Sequence, residues 1–178
     1  AWHRRFVPWV KKLDGDRHLL STEFSTEYGQ ASVWGLDGID YTQVACYPRN
    51  NLSVTMTDQA QHLAPLGKPI VIEEYGGTAG GGTMDHLARN IHDGLWIGWT
   101  QPIAAAPLAW WWHFILDKGL ERYHRAFLEF TRGEDLRDRA WNHVRLNVAA
   151  PGGGRLSALA RLATDRGYLW VYDRKLGD

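Results

Sequence analysis

Four short β-rich runs alternate with longer amphipathic stretches, and this alternation constrains the 178-residue chain more than any other feature. "HLLSTEF" (residues 18–24), "DYTQVACY" (40–47), "PIVIEEY" (69–75) and "LAWWWHFIL" (108–116) have strand length and composition. Residues 2–13, 57–66, 83–98 and 120–131 space their apolar side chains as helices do. In the third of these Leu87, Ile91, Leu95 and Trp99 recur every fourth residue, with Thr83 or Asp85 placed to cap the start. Phe6, Trp9, Val10 and Leu13 share one face of the first helix, and Leu120, Tyr123, Phe127 and Phe130 are expected to face inward on the last. Strand and helix in turn predict an α/β fold, a parallel sheet with helices outside it.

The chain changes character after "TRGEDLRD". A Gly-rich linker, "APGGGR", leads to "LSALARLA" and "YLWVYD", which the turn residues "TDRG" join as a β-hairpin. Residues 1–135 therefore read as the α/β unit, and 136–178 as a linker and the beginning of an antiparallel β module. A closed eight-stranded barrel takes about 250 residues, whereas four open parallel strands leave two unpaired edges. The expectation is half of a longer barrel, whose other half precedes Ala1.

Twenty basic residues balance twenty acidic ones, so no field concentrates polyanions, and neither nucleic acid nor membrane is an expected partner. No apolar run reaches the roughly 18 residues of a membrane span, and the charged start "AWHRRFVPWVKKLDGDRH" is not a signal peptide. The single cysteine, Cys46, excludes an internal disulfide. Eight histidines show no "HExxH" and no Cys/His zinc spacing, so neither metal nor cofactor is expected. "GGTAGGGT" lacks the "GK[ST]" ending of a phosphate loop and reads as a loop at the mouth of a site. No "GxSxG" elbow marks a serine hydrolase. Ten tryptophans exceed what a core of this size needs, which points to some facing a ligand.

"KPIVIEEYGG" ends an apolar strand in two adjacent glutamates. Strand alternation puts Ile70, Ile72 and Glu74 on one face and Val71, Glu73 and Tyr75 on the other, so the two carboxylates are expected to point apart. Glu74 is assigned to the site and Glu73 to an outward structural ion pair; Glu23 and Glu27 read as solvated or structural.

The same stretch resembles the seventh barrel strand of clan A glycoside hydrolases, especially the cellulase-like relatives of family 5, where a Glu-aromatic-Gly end carries the nucleophile. "HLLSTEFS" is similar to the fifth strand and "IDYTQVACYP" to the sixth. "ARNIHDGLWIGWTQPIAAAPLAWWWHFIL" is similar to the seventh helix and eighth strand of an uncharacterised triple-tryptophan group in that clan. The resemblance covers roughly residues 1–131, as the fourth through the eighth helix. It implies the C-terminal half of a (β/α)8 TIM barrel, followed by the start of a C-terminal β-rich module. The implied activity is retaining hydrolysis of β-glycosidic bonds in oligo- or polysaccharides, with a carbohydrate and the rest of its own barrel as partners and a secreted or periplasmic setting.

By this resemblance Glu74 is the nucleophile and Tyr47 orients it, Trp110, Trp112 and His113 contact the sugar, and Trp111 packs on the helices. Retaining glycosidases set two carboxyls about 5–5.5 Å apart. The family's acid/base follows an asparagine at the end of the fourth strand; this chain contains no "Asn-Glu", which places that residue upstream of Ala1. Where the sixth strand usually carries a histidine two residues before the tyrosine, Ala45 stands here. The alternative is a non-catalytic carbohydrate-binding protein on a degenerate glycosidase barrel.

Overall fold

A computed structural model of the chain describes residues 2–24, 28–47, 51–77, 83–149 and 156–173. Helices and strands mix throughout, as an α/β chain requires. Glu27, most of "GGTAGGGT" and the "APGGGR" linker lie outside the described residues.

The first unit holds α1 (Trp2–Asp14), β1 (Glu23–Phe24), α2 (Ala31–Trp34), β2 (Thr42–Cys46), α3 (Leu52–Leu63), β3 (Ile70–Tyr75), α4 (Met84–Thr100), α5 (Trp112–Asp117) and α6 (Glu121–Thr131). β1, β2 and β3 lie side by side in chain order, all parallel. Helices are needed to return the chain between parallel neighbours, which is why α3 separates β2 from β3. Asn51 starts α3 by accepting a hydrogen bond from the Val54 amide at 3.1 Å, so the helix begins five residues ahead of the expected 57. Thr83 caps α4 in the same manner, accepting from the His86 amide. Lys68, in the turn before β3, donates to the carbonyls of Trp34, Leu36 and Ile39 and ties the α2 loop to the strand's start.

Residues 104–110 run beside the free edge of β3. Leu108 N donates to Ile72 O and Trp110 N to Tyr75 O, while Tyr75 N donates to Leu108 O, and Ala109 bridges Tyr75 in parallel. The expected strand over 108–116 is corrected here: its pairing stops at Trp110, and Trp112–Asp117 is helical. β3 ends at Tyr75, so backbone groups beyond Trp110 have no ladder to join. They bond internally instead, Phe114 N to Trp111 O and Lys118 N to Phe114 O. The expected first strand shrinks similarly, to the two residues that pair with Gln43 and Val44.

Ile70, Ile72 and Tyr75 of β3 share one core with Met56, Ala60 and Leu63 of α3 and Ile97 of α4. The apolar face of α1 is largely open: Trp9 is 55% and Leu13 65% exposed, and Val7 is the helix's buried side chain. On α6, Leu120 and Phe127 lie inward as expected, whereas Phe130 is exposed.

The tail forms an antiparallel sheet of β4 (Asn142–Asn147), β5 (Leu156–Leu162) and β6 (Gly167–Asp173), with β5 central. The hairpin of β5 and β6 matches the expectation; β4, polar in sequence, exists because β5 supplies its ladder. Arg161 of β5 is buried at the C-terminal end of α4, where its guanidinium donates to Gln101 O and lies 5.8 Å from the Trp99 ring and 5.9 Å from Trp141. A cation at that end complements the helix dipole. His143 adds a 2.8 Å hydrogen bond to Thr100 O, and Tyr172 Oη meets Ser53 Oγ at 2.7 Å at the start of α3.

The Tyr75 ring is fully buried against Gly94 of α4, and a Cβ built at Gly94 would stand 2.2 Å from it. Gly94→Ala is therefore expected to destabilise the fold by about 1–3 kcal/mol, read as a lower urea midpoint. An unchanged midpoint would show that the ring does not press on α4.

Candidate functional site

β3 does not keep its two-residue alternation to the end. Val44 pairs with Ile72 but Ala45 pairs with Glu74, so Glu73 is an extra residue opposite nothing, a β-bulge. Past a bulge the parity of the strand inverts. Ile70, Ile72 and Tyr75 all turn to the helices, and Glu73 and Glu74 both turn to the other side. The expectation that the two glutamates point apart is corrected, and with it the outward ion pair for Glu73: among the described residues Glu73 forms no salt bridge.

The strand end is held from three directions. Tyr75 Oη donates to Ile91 O at 3.1 Å, Gly77 N donates to Asn90 Oδ1 at 2.8 Å, and Trp111 Nε1 donates to Gly76 O at 3.0 Å. Gly76 sits at φ 111°, which a side chain rarely adopts, so the glycine after the tyrosine is what lets the chain leave the sheet here.

Both glutamates line one open groove of about 420 Å3 with Leu108, Trp110 and Trp112. His124 of α6 also lines it; its distance in sequence from the strand ends left no local signal by which to find it. Trp110 and Trp112 are 49% and 66% exposed, flat apolar surface open to a ligand. Trp111 packs instead toward Leu87 and Ile91 of α4. His113 is exposed on α5 with its ring 4.3 Å from Phe114, and it lies outside the groove lining.

Tyr47, one residue past β2, donates its hydroxyl to Glu74 Oε2 at 2.9 Å. Burial and the neighbouring Glu74 carboxylate push the Tyr47 phenol well above its ordinary range, so it stays a donor at any working pH. Glu73 is pushed up to about 7, first by burial and then by the charges of Glu74 and Glu23. Its Oε1 is buried with no hydrogen-bond partner among the described residues. Burial holds the His124 imidazole below its usual range, hence neutral near pH 7. The groove thus presents a carboxylate held by the Tyr47 phenol, a carboxyl that gives up its proton late and two indoles. No group of three or more metal-ligating side chains is gathered among the described residues, and no described helix is long and apolar enough to cross a membrane.

This is an α/β chain whose parallel strand ends present a carboxylate pair to an aromatic groove. Among curated proteins it is similar to mannan endo-1,4-beta-mannosidase 3 of Oryza sativa subsp. japonica, 29% identical over 108 residues, which is 43% of this chain and 23% of the mannosidase. The chain therefore spans about a quarter of the curated relative it matches. No protein-family model matches the chain, and no solved structure does.

Because Glu73 holds its proton up to about pH 7 in the fold but only to an ordinary 4.5 when unfolded, its stabilising contribution is complete below 4.5 and lost as pH rises through 7. Glu73→Gln removes that loss. The residue is only partly buried, so solvent screening leaves a penalty of about 1 kcal/mol, or 2–4 °C in a domain of this size. The variant is expected to melt higher than wild type by that amount at about pH 8 and equally at about pH 4.5. A gap independent of pH would contradict the raised value.

Proposed function

We propose that residues 1–135 are the second half of a (β/α)8 glycoside hydrolase barrel, residues 136–178 the start of a β-rich accessory module, and that the whole protein hydrolyses β-glycosidic bonds with retention. One observation carries this reading: the 2.9 Å hydrogen bond from Tyr47 to Glu74, at the ends of adjacent parallel strands beside Trp110 and Trp112. Catalytic side chains of such barrels occupy the C-terminal strand ends. The similarity to a rice mannosidase adds support and makes β-1,4-mannan the first substrate to assay.

In this mechanism a Glu74 oxygen attacks the anomeric carbon while an acid protonates the departing glycosidic oxygen, leaving a glycosyl ester on Glu74. Water, deprotonated by the same acid/base, then cleaves the ester and regenerates the carboxylate. The Tyr47 hydroxyl holds Glu74 in one rotamer with one oxygen free to react. Trp110 and Trp112 supply an apolar floor for the sugar. The acid/base belongs to the other half of the barrel.

In the full-length protein Glu74→Gln is expected to lower kcat at least about 1000-fold with little change in oligosaccharide affinity, and Tyr47→Phe about 10- to 100-fold, the worth of one hydrogen bond to a charged group. Hydrolysis assays on β-mannan check both; unchanged turnover in Glu74→Gln removes the nucleophile assignment. Ala45, where such barrels carry a histidine, favours the second reading, a protein that binds saccharide without cleaving it. Under that reading wild type itself binds and shows no turnover.

A further inference from the structure

We propose that Glu73 is a saccharide-contacting residue whose carboxyl, in its acid form, donates a hydrogen bond to a hydroxyl of the sugar lying on Trp110 beside Glu74. The inference rests on the glycosidase reading and adds to it a contact from the second carboxyl that the bulge leaves on one wall with Glu74.

Its basis is geometric. The bulge opposite Val44 and Ala45 turns Glu74 onto the groove wall that Glu73, next to Ile72, already faces. Glu73 Oε1 is buried with no hydrogen-bond partner among the described residues, while the half-buried side chain lines the groove. The groups facing it come from four elements: Glu74 on β3, Glu23 on β1, Tyr47 after β2 and His124 on α6. Two are acidic, Tyr47 is committed to Glu74, and the His124 imidazole is neutral by burial. Among the described residues none facing Glu73 is a cation that would draw its proton away. A carboxyl raised to about 7 by burial and by Glu74 agrees with this placement.

The chemistry selects the ligand. A second carboxylate beside Glu74 accepts hydrogen bonds only, whereas a carboxylic acid both donates and accepts, as a sugar hydroxyl does. The aromatic neighbours favour the same ligand, because a pyranose face stacks on indole while its hydroxyls reach the rim.

Two measurements on the full-length protein test this. In a carbon-13 titration, the Glu73 side-chain carboxyl is expected to change state near pH 7; a midpoint in the ordinary carboxyl range overturns the proposal. In calorimetry with mannohexaose, wild type is expected to bind about tenfold more weakly at about pH 8.5 than at about pH 5.5. Glu73→Gln, which keeps a donor at every pH, should bind equally at both and near the wild-type acid value. Glu73→Ala should be weak at both. The same pH dependence in Glu73→Gln as in wild type overturns the proposal, and so does absence of binding by every variant, which also ends the saccharide reading. The expected binding pattern without any turnover supports Glu73 and defeats the hydrolase reading alone.

Discussion

The pairing of β3 is the interaction on which the rest of this structure depends. The strand is bonded on both edges, to β2 along Ile70–Tyr75 and to residues 104–110 on the other side. Its one irregularity, the bulge at Glu73, inverts side-chain parity for Glu74 and Tyr75. Without it, Tyr75 would face the groove and Glu74 the helices, which would bury a carboxylate among Met56, Ala60 and Leu63. With it, the apolar ring fills the core and both carboxyls stay in the groove.

Once Tyr75 lies inward, several neighbours are determined by it. Its hydroxyl needs an acceptor and finds Ile91 O, and its ring needs space and finds it over Gly94. α4 is thereby brought close enough for Asn90 to take the Gly77 amide, and Trp111 to hold the Gly76 carbonyl. The groove owes its shape to this packing behind it: Glu73 and Glu74 sit on backbone clamped on the far side, and a clamped backbone keeps the Tyr47–Glu74 hydrogen bond in register.

At the other end of α4 the antiparallel sheet is attached by both apolar and polar contacts: Leu159 joins the core of Met56 and Ile97, Tyr168 packs on Leu95, Trp99 and Phe127, and Arg161 adds polar contacts. A buried guanidinium without an acidic partner among the described residues is expensive, and burial lowers the Arg161 pKa to about 10. Two tryptophan faces, the Gln101 carbonyl and the negative end of α4 offset that cost. These groups are directional, so they set the orientation of β5 on α4 more strictly than apolar contact alone would.

Much of this was legible in the chain itself. Apolar spacing of 3.6 residues placed α1, α4 and α6 within a residue or two, because that period is written into consecutive side chains. Strand composition placed β2 and β3, and turn residues placed the hairpin of β5 and β6. The errors fall where a neighbour decides. "LAWWWHFIL" has strand composition throughout, but it is strand-like only as far as β3 reaches, and the remainder turns helical to satisfy its own backbone. The polar β4 is a strand only because β5 lies beside it.

The two glutamates mark the same boundary most plainly. From sequence alone came the position of "EEYGG" at the end of a buried strand; placing Tyr47 beside Glu74 took the resemblance to a glycosidase barrel as well. That Glu74 shares a face with Glu73 was decided by tertiary structure, because a bulge is a mismatch between two strands. Neither β2 nor β3 contains it separately, and local alternation cannot anticipate a residue that has no partner across the ladder.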